Sequence, residues 1–276
     1  MTPAGGSGTW GGRRYALRLS EAELARYRAI AERARTEEAE LWVMAGIVDG
    51  ARVADLGCGP GAVLTAMAER VGPRGWVTGV DTDPEAVEAA RRAIVAAGLR
   101  NAEVRLGDAA ASGLGSGSVD VAVLRLVLAH NGPSEQAIVD HAAALVRPGG
   151  CVYLVDVDAT MNRLHPAHPV ILEMIDRHRA FQAVRGNDLQ AGLRLGDLLT
   201  GAGLDVVDHH GRITMVTRPP GWRPIAWAAR EAMVAEGVID AADLTRWELA
   251  LAELDQAPAR PTSVIATFVA IGRRPG

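Results

Sequence analysis

The chain has 276 residues, a formal net charge of −4 from 29 basic and 33 acidic side chains, and 49% hydrophobic residues. That length suits one large domain or one domain with an inserted cap, and the acidic balance argues against a phosphate backbone as partner. All the basic residues are arginine, which excludes a Schiff-base lysine and the Gly-Lys-Ser/Thr of a P-loop.

No apolar run approaches a membrane span and no signal pattern opens the chain, so no membrane partner is expected and the location reads as cytoplasmic. The two cysteines, Cys58 and Cys151, fall at predicted buried positions and form no disulfide framework. Residues 1–12 are small and glycine-rich and read as disordered. From Ser20 to Asp49 the periodicity is helical, through Leu24, Tyr27, Ile30, Ala31 and Ala34 and then Leu41, Met44 and Ile47. Ser20 and Glu23 look like a capping box. Residues 13–50 therefore read as a helical pair, either packed on the domain edge or lying over a site as a lid.

Val53-Ala54-Asp55-Leu56 is a short strand that runs into Gly57-Cys58-Gly59-Pro60-Gly61 and then a helix through Val63, Leu64, Met67 and Ala68. Strand, glycines and helix in that order make a nucleotide-binding βα corner, with Pro60 expected in the first helical turn. Asp55 narrows the ligand, because a fixed negative charge there suits a cationic group better than a pyrophosphate. The corner resembles motif I of the class I S-adenosylmethionine (SAM)-dependent methyltransferases, in which the acid faces the ammonium end of the methionyl moiety. The spacing Gly57-x-Gly59-x-x-Ala62 also fits a dinucleotide fingerprint, so an NAD(P)-dependent oxidoreductase is the first competing reading.

The second strand, Trp76 to Asp81, ends in an acid 20 residues after Gly61. At that spacing a carboxylate meets ribose hydroxyls, with Thr82 beside it; a solvated turn acid is the plain alternative. Asp83 and Pro84 read as the N-cap and first residue of the next helix. The third strand exits through Gly107-Asp108-Ala109. In the family that Gly-Asp accepts from the adenine amino group and the next residue offers a backbone N–H, whereas a turn cap is the other role for Asp108. The fourth strand, Ser118 to Leu124, continues into Arg125-Leu126-Val127-Leu128-Ala129-His130-Asn131. This stretch is similar to the family segment where the chain leaves the sheet beneath the transferable methyl. The resemblance places Arg125 and Leu126 near the cofactor and His130 toward the acceptor.

The fifth strand is Cys151 to Val157, after the turn Arg147-Pro148-Gly149-Gly150. Leu204–Thr217 and Ser263–Gly272 resemble the last two strands of that fold. The expected architecture is thus Rossmann-like α/β, a seven-stranded, mostly parallel sheet with an antiparallel last strand plus a helical lid or cap. The core comprises residues 51–217 and 262–274, with residues 218–261 a helical insertion.

SAM is the implied cofactor and S-adenosylhomocysteine the product. Cofactor positions are Asp55, Gly57, Cys58, Gly59, Gly61, Asp81, Thr82, Gly107, Asp108, Ala109, Arg125 and Leu126, with Arg28 of the lid for the methionyl carboxylate. His130 is the candidate base, since an imidazole titrates near neutrality; a supporting role behind the site is its alternative. Tyr15, Tyr27, Asp156, Asp158, His165, His168 and Arg185 are candidates for the acceptor side. His165 and His168 have no cysteine or acid cluster to complete a metal site, so no metal is expected. The acceptor is expected to be a small molecule, natural-product or quinone-like, methylated on O, N or C. A homodimer and a SAM-binding protein without methyl transfer remain open alternatives.

Overall fold

Residues 19–276 are described by the computed structural model; the expectations for residues 1–12 and for Tyr15 lie outside that range. Five strands rich in valine, alanine and leucine form the parallel part of the sheet. They are β1 (Arg52–Leu56), β2 (Trp76–Asp81), β3 (Ala102–Leu106), β4 (Val119–Arg125) and β5 (Val146–Val157), in the order β3-β2-β1-β4-β5. Alternate residues serve two cores: Val53, Val121 and Val123 face one, Ala54, Ala122 and Leu124 the other. Burial on both faces is why these strands read as nearly continuous apolar runs.

On the first face lie α1 (Glu21–Glu37), α2 (Ala39–Ala45), α3 (Ala62–Val71) and α4 (Pro84–Ala96). Asp83 caps α4 by accepting from the Glu85 N–H at 2.9 Å, with Pro84 as the first helical residue. Ser20 caps α1 by accepting from the Glu23 N–H at 3.2 Å, while the Glu23 carboxylate pairs with Arg26. The helix pair breaks at Glu38, and the break rotates the buried face: Trp42 and Ala45 are buried, whereas Met44, expected inside, is exposed.

The second face is covered by α5 (Glu135–Leu145) and α7 (Leu195–Gly201). Beyond β5 the sheet ends in a long hairpin of β7 (Asp205–Thr217) and β8 (Thr262–Arg273), with β8 antiparallel to both β5 and β7. Seven strands thus run β3-β2-β1-β4-β5-β8-β7, the order of the methyltransferase fold. A three-residue strand, β6 (Arg163–His165), is added to them. Val157 pairs with Thr267 and Arg163 with Val264, so the start of β8 projects past the carboxyl end of β5 and carries β6 on that edge.

That projection carries a cap. Its helices α8 (Ile225–Ala228), α9 (Arg230–Ala235) and α10 (Ala241–Gln256) lie between β7 and β8. They share a core with α6 (Pro169–Val184) and Leu164, around a fully buried Trp247. The cap therefore draws on residues 163–184 as well as on the 218–261 stretch.

Candidate active site

The carboxyl ends of β1, β2, β3 and β4 converge on the glycine loop. Gly57 and Cys58 donate their N–H groups to the Val80 carbonyl at 2.7 and 3.1 Å, fastening the loop to β2. Gly57 has φ +76°, and a Cβ there would stand 2.6 Å from the Val127 side chain. Gly61, at φ +79°, is the N-cap of α3, and a Cβ on it would meet that of Ala90 at 2.8 Å. Both positions require glycine, for conformation and for space. The helix begins at Ala62, so Pro60 sits in the turn ahead of it rather than in its first turn. The Cys58 thiol is buried, and burial pushes its pKa up, so it is inert lining.

Two acids stand at this loop in different states, and a third follows the end of β3. Asp81 accepts from the Gly59 N–H at 2.7 Å and the Asp83 N–H at 2.9 Å, which orients its carboxylate across the loop mouth. Burial raises its pKa despite those bonds. Asp55 is buried, and its Oδ2 has no hydrogen-bond partner. Burial first, and the Asp81 charge second, push its carboxyl up to about 7 against the opposing pull of Arg125. Asp108 is exposed and caps a turn by accepting from the Ala110 N–H at 2.7 Å; Gly107 before it donates to the Asp81 carbonyl at 2.9 Å, Ala109 is half-buried and Thr82 is exposed.

Arg125 leaves the end of β4 and donates to Glu38 at 2.9 Å; the other Glu38 oxygen accepts from the Tyr153 hydroxyl at 2.9 Å. This buried chain ties the α1–α2 break to the sheet end, and the Arg125 Nε remains buried without a partner. Leu126 follows at φ +59°, the single positive-φ residue other than glycine among the described residues. A strained residue at the end of a central strand is a feature of ligand sites.

α1 lies over the loop. The Tyr27 ring stands 3.5 Å from where a Gly59 Cβ would be, and the Arg26 guanidinium sits 4.8 Å from that ring's centre. Arg28, the expected lid cation, is on the exposed side of α1, and Arg26 faces inward in its place.

His130 ends the short 3-10 turn Leu128–His130, and burial together with the Arg26 charge lowers its imidazole to about 4. His178, from α6 of the cap, is lowered to about 4, chiefly by burial and then by the charge of nearby His130. Asn187 donates to the Gln182 Oε1 at 2.7 Å, which turns the Gln182 amide nitrogen toward the His178 Nε2 at 3.0 Å. That Nε2 therefore accepts, and the neutral ring carries its proton on Nδ1.

Of the other expected acceptor-side residues, Asp156, Asp158, His168 and Arg185 are engaged in structure. Asp156 is buried, accepts from the Ala129 N–H at 3.1 Å and so anchors the turn that carries His130, while burial raises its carboxyl to about 6. Asp158 accepts from the N–H and hydroxyl of Thr160. His165 is exposed on β6, His168 bonds Glu253 at 3.2 Å, and Arg185 pairs with Glu236 and stacks on Phe181. Sequence reading passed over Arg26, Glu38, Tyr153 and His178. The helix break at Glu38 was the one local signal, because nothing else in the chain announces which residues a fold brings together.

An unpartnered carboxylate oxygen, an unpartnered guanidinium nitrogen and a loop with no room for a side chain at Gly57 or Gly61 fit a ligand with an ammonium–carboxylate end and a ribose. These elements in this order define a nucleoside-binding α/β enzyme fold.

The comparisons are specific. Residues 53–150 match the family model described as a methyltransferase domain. A ubiquinone biosynthesis O-methyltransferase of Cupriavidus pinatubonensis is 30% identical over 62% of this chain and 67% of its own length. Nocamycin O-methyltransferase of Saccharothrix syringae is 40% identical over 38% of this chain and 37% of its own. The chain spans only 50%, 29% and 37% of the lengths of three curated relatives it matches. The crystal structure of the YcgJ protein from Bacillus subtilis superposes with a TM-score of 0.58 at 17% identity, covering 86% of this chain and 97% of that one, and shares the fold. The chain belongs to the class I SAM-dependent methyltransferase family, whose cofactor is SAM and whose product is S-adenosylhomocysteine.

Proposed function

We propose that the protein transfers the SAM methyl group to a small-molecule acceptor held between the sheet end and the cap. The observation that supports the reading is the position of His130: it follows by three residues Val127, which packs on Gly57 of the glycine loop, and its charge acts on His178 of the cap. When bound, SAM supplies an activated methyl group and its own leaving thioether, so the protein's work is alignment and exclusion of water. Asp55 and Arg125 would hold the amino-acid end and Asp81 the ribose, with Leu126 shaping the floor. His130 is held neutral, ready to take a proton from an acceptor hydroxyl or amine, while Asp156 fixes the turn beneath it.

His130→Gln is the test. Calorimetry should find S-adenosylhomocysteine affinity within about twofold of the parent, while turnover of an identified acceptor falls by on the order of 10²-fold. Equal rates in the two proteins would assign the catalysis to proximity alone.

A further inference from the structure

Arg218 stands where β7 gives way to the cap, and its surroundings are unusual for a half-buried cation. Its Nε donates to the hydroxyl of buried Ser263 at 2.8 Å, and its guanidinium lies 4.9 Å from the centre of the Trp222 ring. Among the described residues no carboxylate comes within salt-bridge distance of it or of its half-buried neighbour Arg33 on α1, whose charge adds to the cost of keeping Arg218 ionised. The first 18 residues contain no Asp or Glu to supply one. Two inward arginines without a counter-ion, one fixed by a serine and an indole, are costly to fold unless an anion is recruited.

Their place says which anion. Even-numbered residues of β7, from Arg212 to Arg218, form its half-buried face, and Arg212 donates to the Glu37 carbonyl at 2.6 Å, so α1 lies along that face. Arg33 is seven residues from Arg26, hence on the same side of α1 and about 10 Å along it; Arg26 faces His130. Arg218 and Ser263 sit on the part of the hairpin that projects past the carboxyl end of β5. We infer that Arg33, Arg218 and Ser263, walled by Trp222, bind an anionic group of the methyl acceptor. The substrate class is then an acidic molecule whose nucleophile lies at the end remote from its anionic group, for which a carboxylate is the probe. This rests on the methyltransferase reading above.

The experiment compares 6-hydroxy-2-naphthoate with 6-hydroxy-2-naphthamide by calorimetry on the whole chain, with S-adenosylhomocysteine present. The acid is expected to bind about 10- to 100-fold tighter than the amide. In Arg218→Gln and Arg33→Gln that preference should shrink, with amide and S-adenosylhomocysteine affinities unchanged. The absence of any preference in the parent, or its survival in the double variant R33Q/R218Q, overturns the assignment. Failure of the parent to bind S-adenosylhomocysteine is a separate result, which strikes the methyltransferase reading and leaves the acid–amide comparison to be made without it.

Discussion

Replacing Asp55 by Asn should stabilise the ligand-free protein and cripple it as a cofactor binder. Burial and Asp81 lift the Asp55 carboxyl from its ordinary 3.8 to about 7. A lift of roughly three pKa units corresponds to about 4 kcal/mol as an upper bound, and on the order of 2–4 kcal/mol after relaxation. Between pH 4 and 7 the folded acid keeps its proton while the unfolded chain has lost it. The unfolded state binds fewer protons, so stability falls as pH rises through that window, and the full penalty applies above pH 7. Asn is neutral at every pH and nearly isosteric. Asp55→Asn should therefore exceed the parent in denaturant unfolding at pH 8, with the gap closing toward pH 4. Asp81, raised in the same direction, leaves a shallower slope of the same sign in the variant.

The same substitution should weaken S-adenosylhomocysteine at least tenfold. It should also flatten the rise in affinity expected of the parent from pH 6 to 8, as the ligand's ammonium draws Asp55 into its ionised form. A variant less stable than the parent at pH 8, with an unchanged pH slope, would mean that Asp55 is already ionised against Arg125, and the argument from burial would fail.

Other perturbations test neighbouring parts of the site. Gly57→Ala places a Cβ against Val127 at a left-handed backbone, so thermal unfolding should show a loss of about 1–3 kcal/mol, and cofactor affinity should fall with it. Glu38→Ala strands Arg125 and the Tyr153 hydroxyl in the interior; chemical denaturation should report a cost of about 3–5 kcal/mol. Because His130 loses its proton near pH 4, the base-dependent limb of kcat/KM should also fall there and leave the rate flat from pH 6 to 8 in this group. A limb at its ordinary 6.5 would mean that the imidazole is solvated in the working enzyme.

The part of the candidate site around the glycine loop was legible because it is local. β1 and β2 each deliver an acid at their carboxyl ends, and Gly57 and Gly61 record a backbone that admits no side chain, so spacing alone brings Asp55 and Asp81 together, whereas Asp108 caps an exposed turn. The acceptor half was not. His178 reaches His130 only because α6 is folded back over the sheet end, and α6 shows no motif in the chain. Arg28 and Arg26 are indistinguishable by residue type, and the helical rotation of about 100° per residue decides which one faces inward. Asp156 and Asp158 were assigned to the pocket from their place at a strand end, yet backbone N–H groups take up their carboxylates.

The cap owes its existence to pairing across distance in the chain. α8 has four residues and α9 six, far below the length at which a helix persists alone. What holds them is a core shared with α6, in which Trp247 is completely buried, with Glu173 and Asp243 bound to Arg177 and Arg246 along its rim. Trp247→Ala should remove about 3–5 kcal/mol from that core. The sheet, whose two cores contain no cap residue, should keep its own. Hydrogen exchange is the appropriate measurement: amides of α6 and α10 should lose protection while those of β1, β4 and β5 keep theirs, and S-adenosylhomocysteine should still bind. Turnover should fall, because His178 rides on α6. Equal loss of protection in the cap and the central strands would show that the two unfold together, and the acceptor side could not then open independently of the cofactor side.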